Sequence, residues 1–188
     1  TLWLHAFESA LVAEDMKALA EMFLVDGHWR DLVAFTWHMR TFSGRDTIET
    51  AMRDLLPSAR PHKFRLSEDR TPPRWVKRAG VETIEAIFCF ETKTGRGSGV
   101  LRLVPAPENQ ENFAAWVLLT ALDEIKGHEE QVGAHRPRGE EWSGGFGSEN
   151  WMDIRARQVA YADREPAVVV IGGSQCGLGI AASLGVLG

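Results

Sequence analysis

Apolar residues recur at helical spacing at the start of the chain, where Leu4, Phe7 and Leu11 share one face and Leu19, Met22 and Phe23 a second. Asp15 stands between the two sets and can cap the second, so the pattern predicts two helices rather than one. Asp26-Gly27 then signals a turn. From His28 to His38 the period changes to two, which puts Trp29, Asp31, Val33, Phe35 and Trp37 on one face of a strand. Ser43 followed by Asp46 resembles a capping box, and Ile48, Met52 and Leu55 form the stripe of a helix that Pro57 ends. Lys63–Leu66 reads as a short strand and Ser67–Lys77, with Pro72 and Pro73, as a loop. Three longer strands follow: Val81–Glu91, with Ile84, Ala86, Phe88 and Phe90 on one face; Gly99–Val104, after a flexible Thr94–Ser98 turn; and Asn112–Ile125. Helices first and strands afterwards predict an α+β fold, with an antiparallel sheet curled over the helices.

Beyond Gly127 the pattern dissolves. Gly, Pro, Arg and Glu dominate residues 127–141, and Gly144, Gly145 and Gly147 follow, as in a linker. A short helix is expected from Glu149 to Ala160, capped by Ser148. Trp142, Trp151, Ile154 and Tyr161 are too apolar for a free tether and predict a linker laid along a surface. Ala167–Ile171 is an apolar, mostly β-branched run that suits a strand covered on both faces. Gly172-Gly-Ser-Gln-Cys-Gly177 and a helical Leu178–Leu184 come next. Strand, glycine turn and helix are the context of a dinucleotide-binding fingerprint. Gly172 makes the tight turn, Gly177 allows close packing, and the N–H groups between them can hold a pyrophosphate. Ser174 departs from the pattern at the middle glycine, although its hydroxyl can donate to phosphate. The plainer alternative is a strand–turn–helix that binds nothing. A ribose-binding acid belongs about 20 residues further on, past Gly188, and the chain opens on Thr1 within a helical pattern. Both ends look cut, and a piece of a longer polypeptide is expected.

Composition narrows the partners. With 44% hydrophobic and 25% charged residues the chain is ordinary for a globular protein. A net charge of −5 argues against nucleic acid as the main partner. No apolar run reaches the roughly 20 residues of a membrane span. Cys89 and Cys176 give neither a disulfide framework nor zinc spacing, which suits a reduced, cytoplasmic protein. His5, His28, His38, His62, His128 and His135 lack metal-ligand spacing, so no metal is expected.

The helix pair, the Asp26-Gly27 turn, the Trp29-Arg30-Asp31 strand, the helix after Gly44 and the strand meander together resemble the nuclear transport factor 2-like fold. That fold is a cone of helices and curved sheet shared by scytalone dehydratase and polyketide-cyclase-like enzymes, and the resemblance spans roughly Leu2–Lys126. A domain of that kind, a Trp-bearing linker and then Glu165-Pro-Ala-Val-Val-Val-Ile-Gly-Gly-Ser-Gln-Cys-Gly-Leu178 resemble bacterial and fungal flavin-containing monooxygenase-like proteins. The resemblance implies three parts: residues 1–126, a linker over 127–166, and the start of a Rossmann-type FAD domain over 167–188. It implies an FAD-dependent, NADPH-using parent acting on a small molecule. Gly172, Gly173, Ser174 and Gly177 would lie on the pyrophosphate loop, and the NADPH loop would lie past Gly188. A flavin disulfide reductase or amine oxidase would open its flavin domain similarly. Cys176 falls where that family has a small packing residue, so it is read as filler rather than as a nucleophile.

Within a cone, the inner face of the sheet lines a cavity, and Asp31 there could serve as a general base or orient a histidine. The plainer reading pairs Asp31 at the rim with Arg30 or Arg53. His38 lies on the opposite face unless a bulge intervenes. Trp29, Asp31 and Phe35 are expected to point inward under a helix over Gly44–Leu56. A homodimer through the sheet is expected, with Trp116 and Leu118 on its outer face. The rival to the flavin reading is a non-redox module that binds a small apolar ligand or dimerises, or a hydro-lyase or isomerase using Asp31.

Overall fold

A computed structural model of the chain describes residues 1–106, 112–136 and 149–187, in two compact units, Thr1–Gly127 and His128–Gly188. The first unit opens with α1 (Leu2–Val12), which buries Leu4, Phe7 and Leu11 as the spacing predicts. Asp15 caps α2 (Met16–Glu21) by accepting the Ala18 N–H at 3.0 Å. The second helix is shorter than expected: Phe23 already begins β1 (Phe23–Leu32), and Gly27 sits in an irregular stretch of that strand rather than in a turn.

The long strand expected over His28–His38 is instead the first half of a hairpin. β1 ends at Leu32, residues 33–38 form a loop, and β2 (Met39–Ser43) returns antiparallel, with Trp29 opposite Phe42 and Asp31 opposite Arg40. Val33 and Trp37 both take positive φ in that loop, 57° and 56°. Trp37, expected inside, is therefore carried out to 53% exposure. The capping box does not form: Gly44 is the N-cap of α3 (Arg45–Ala59), and the Ser43 hydroxyl meets His28 Nδ1 at 3.0 Å instead. Pro57 lies in the last turn rather than ending the helix, which stops at Arg60 in the left-handed region.

Five more strands complete the sheet: β3 (His62–Leu66), β4 (Arg74–Arg78), β5 (Val81–Glu91), β6 (Gly95–Pro105) and β7 (Phe113–Ile125). β4 occupies part of the expected loop, as an edge strand paired only with β5. The order is β2-β1-β7-β6-β5-β3, with β4 also on β5. The sheet is mixed, not antiparallel throughout, because β1 pairs parallel with β7. The intervening elements form a connection long enough to bring β7 back beside β1 in the same direction. Register shifts within β1, β3, β6 and β7 bend the strands.

Side chains from the helices and one sheet face make a single core. A run of ring contacts crosses it, from Trp3–Phe7 at 5.0 Å through Phe7–Phe64 at 5.4 Å and Phe64–Phe90 at 5.4 Å to Phe35–Phe90 at 5.8 Å and Trp29–Phe35 at 5.1 Å. Trp29 also stacks on Phe42 at 4.9 Å. Phe88 and Phe90 lie over Gly99 and Gly97 of β6, whose missing side chains leave room for the rings. A Cβ at Gly99 would run into the Phe88 ring and the Leu119 carbonyl oxygen. Gly97, read from sequence as part of a flexible turn, is a strand residue like Gly99, which was expected to open the strand, and both seat aromatics.

The second unit holds a short 3₁₀ turn (Gly133–His135), α4 (Trp151–Ala160) and α5 (Gln175–Gly185). Asn150 caps α4 by accepting the Asp153 N–H at 3.1 Å. The expected cap Ser148, and Trp142, Gly144, Gly145 and Gly147, lie outside the described residues. Trp151 and Tyr161 are exposed. The strand expected at Ala167–Ile171 is not formed, and Ile171 is 96% exposed. A strand needs a ladder partner for its N–H and C=O groups, and the described residues of this unit provide none.

Candidate functional site

β1 delivers Asp31 to the interior, with 0% of its surface exposed. Alternation places it on the same face as Trp29, and Phe35 is also buried, although it reaches the core from the loop. The carboxylate partners are hydroxyls and amides rather than the arginines expected of it. The Thr120 hydroxyl donates to Oδ1 at 2.7 Å, and the Thr36 N–H and hydroxyl reach Oδ2 at 2.9 and 2.8 Å. The Phe35 N–H lies 3.1–3.2 Å from both oxygens. Trp29 Nε1 donates to Thr120 Oγ1 at 3.0 Å, which extends the network across β7. Arg30 donates to Thr41, and Arg53 pairs with Glu49 along α3. Chemically, Asp31 is a clamp. Charge-assisted bonds from two consecutive amides fix the loop that carries the positive-φ residues Val33 and Trp37, alongside the Val33 N–H bond to the His38 carbonyl. His38 is exposed on the loop's far side, and its backbone, not its ring, joins the network through Thr36.

Two further carboxylates, unflagged by the sequence, organise the face of the sheet turned away from the helices. Glu85 takes a bidentate pair from Arg78 at 2.7 and 3.0 Å and a bond from Arg102 at 2.9 Å. The Arg78 bond and the Arg102 guanidinium draw its carboxyl down to about 2, against a smaller opposing effect of burial. Glu91 meets Lys126 at 2.8 Å and Lys63 at 2.9 Å, and these ammonium groups likewise bring it to about 2. Their partners come from different strands, so only the register could have revealed them. The same register places Leu118 against Leu101, fully buried toward the helices, so it is not on the outer face where it was expected. A bulge at β7 leaves Trp116 half-buried.

The glycine turn of the second unit can be judged for a nucleotide. Gly172 sits at φ 115°, a conformation that L side chains rarely adopt. A Cβ on Gly177 would collide with the Gly172 carbonyl oxygen, so the first turn of α5 folds back directly onto the glycine that precedes it. Ser174 is the N-cap, with extended backbone and no bond from its hydroxyl to the helix. The N–H groups that open α5 and the Ser174 hydroxyl are thus a donor set of the kind that suits a pyrophosphate. Gly173 has open space around it, as the close approach of a phosphate requires. Cys176 is exposed in the first turn of the helix. As a donor set, the residues present are compatible with a phosphate group and carry no feature specific to one nucleotide. Among the described residues no group of three or more His, Cys, Asp or Glu is placed to hold a metal ion.

No family model matches the sequence, and no curated protein matches it closely. Solved structures resemble part of the chain. An NTF2-like protein with a cystatin-like fold from Novosphingobium aromaticivorans is 14% identical, covering 64% of this chain and 77% of its own, at a TM-score of 0.44. ActVI-ORFA from Streptomyces coelicolor is 14% identical over 64% of this chain and 92% of its own, with a TM-score of 0.44. A mycobacterial protein, Rv3472(D26N) from Mycobacterium tuberculosis, is 12% identical, covers 73% and 82%, and has a TM-score of 0.47. At these scores the likeness assigns no function, and the architecture rests on its own topology: α+β, with helices on one face of a curved mixed sheet. No helix among the described residues is long and apolar enough to cross a membrane.

Proposed function

We propose that the chain is part of an FAD-dependent oxidoreductase, an NADPH-using monooxygenase in the first instance. Its second unit would carry the pyrophosphate turn, and its first would be an accessory domain of the nuclear transport factor 2-like kind. The observation that carries the reading is the mutual fit of Gly172 and Gly177, a left-handed glycine whose carbonyl occupies the space of the other's missing side chain. Bound FAD supplies the redox and oxygen chemistry. The chain's share is to bind and orient it, with the α5 N–H groups and the Ser174 hydroxyl donating to the pyrophosphate, Gly173 admitting it, and Gly177 holding the helix close.

The first unit fits an accessory role. Aromatic rings fill the space between its helices and sheet, and the candidate base Asp31 has both oxygens engaged by the protein's own donors. Its outer sheet face sets half-buried Ile87, Val100 and Leu119 in one cross-strand row between the Glu85 and Glu91 clusters. Homodimerisation through that face belongs to the proposal, and a monomer by light scattering at high micromolar concentration would remove it. A cytoplasmic setting is part of the same reading. The coding sequence downstream of Gly188 tests the whole. A second glycine-rich loop is expected there, and an open reading frame without one would overturn NADPH use.

A further inference from the structure

A cleft of about 260 Å³ opens in the first unit between the 33–38 loop, β2 and α3. Phe42 and Leu55 supply half-buried apolar walls, while Thr36, His38, Arg40 and Asp54 supply the polar lining. The register makes Arg40 the direct cross-strand partner of Asp31, where a guanidinium–carboxylate pair is the ordinary outcome. Asp31 is unavailable, because its oxygens take the Thr120 and Thr36 hydroxyls and the amides of Phe35 and Thr36. Arg40 also forms no bond with Asp54 across the cleft. Among the described residues the side chains of Arg40, His38 and Asp54 have neither a hydrogen bond nor an ion pair, whereas neighbouring Arg53 and Arg45 are both engaged. A concave apolar surface rimmed by convergent, unsatisfied polar groups is the usual form of a small-molecule site.

We propose that this cleft binds a small carboxylic acid with a flat apolar body and a hydroxyl or amine at its far end. The carboxylate pairs with Arg40, whose planar fork matches it in a way that an ammonium would not. An N–H of the His38 ring adds a second donor. The apolar body lies on Phe42 and Leu55, and the far hydroxyl donates to Asp54. At about 260 Å³ the volume suits a single ring and falls just below the range typical of drug-sized ligands. This inference concerns the first unit alone and stands or falls separately from the flavin reading.

The test is a titration of the whole chain with 4-hydroxyphenylacetate, followed by heteronuclear NMR on the Arg40 Nε–H and His38 ring signals. Saturable binding at one site per chain is expected. The carboxylate-free analogue 4-hydroxyphenethyl alcohol should bind at least about tenfold more weakly, as should Arg40→Gln with the acid, since a charge-assisted contact is lost in each case. Arg40 is exposed on an edge strand, so its replacement leaves the core intact, and circular dichroism checks this. Arg53→Gln, outside the cleft, should bind like the parent. The proposal is overturned if no saturable site is found, if the alcohol binds as well as the acid, or if folded Arg40→Gln binds undiminished. The alcohol comparison needs no variant and decides the matter even if Arg40→Gln does not fold.

Discussion

Replacing Asp31 separates a loop clamp from a catalytic base. Four donor groups converge on its two oxygens, at 2.7 to 3.2 Å. Asp31→Ala strands the buried Phe35 amide and Thr120 hydroxyl and the partly buried Thr36 amide. Each costs about 1–3 kcal/mol when buried and unpaired, and some relaxation of the loop brings the expected loss to about 3–6 kcal/mol. That is a large share of the roughly 5–15 kcal/mol that holds a domain together. Asp31→Asn is milder. Its oxygen can still accept the Phe35 and Thr36 amides, and its NH₂ can reach Thr120 Oγ1, so only charge assistance and one proton's placement are lost, about 1.5–3 kcal/mol. Urea unfolding followed by far-ultraviolet circular dichroism measures both. Thr120→Val, which also orphans Trp29 Nε1, closes a double-mutant cycle with an expected coupling of about 0.5–3 kcal/mol. If Asp31→Ala unfolds within about 0.5 kcal/mol of the parent, as surface substitutions do, the clamp is refuted.

Acid should weaken the first unit in a defined window. Glu85 and Glu91 ionise at about 2 in the fold against an ordinary 4.5, so their contribution is complete above about 4.5 and is lost as pH falls through about 2. Glu85→Gln should lower stability at neutral pH and converge on the parent as pH drops toward 2, and a gap that widened in acid would reverse the sign of the argument. Gly99→Ala should be strongly destabilising, by about 1–3 kcal/mol or more. Phe88→Leu should not rescue it, because the new methyl also meets the Leu119 carbonyl; recovery in the double variant would place the conflict in the ring alone. The chain of 188 residues should not bind FAD stoichiometrically. Its turn offers about 0.3–2 kcal/mol per favourable charge interaction, whereas micromolar affinity needs about 8 kcal/mol. Saturable binding at low micromolar FAD in a fluorescence titration would reveal a flavin site in the first unit.

Much of the first unit could be read from periodicity. Leu4, Phe7 and Leu11 and the stripe of α3 face the core because one buried face dictates their spacing, and the inward Trp29 and Asp31 follow from the strand's period of two. The hairpin after Leu32 was hidden because Val33 and Trp37, both strand formers, take positive φ in a loop fixed by the Phe35 and Thr36 bonds to Asp31 and by the Val33 N–H bond to the His38 carbonyl. β4 is a short, mostly exposed edge strand after two prolines, with little alternation to announce it. The parallel pairing of β1 with β7, the Glu85 and Glu91 clusters and the cleft beside Arg40 all depend on which strands meet. A single chain does not print that choice locally. The glycine turn was legible as a turn and a helix, but the strand before it depends on neighbours and is not formed.

The flavin content of the full-length gene product tests the central claim most directly. Purified from its own reading frame, the protein should be yellow, carry close to one FAD per chain on denaturation, and lose most of it in the Gly177→Val variant while the first unit stays folded. A colourless protein that neither retains nor takes up FAD, or a Gly177→Val variant that holds FAD as the parent does, would contradict the account.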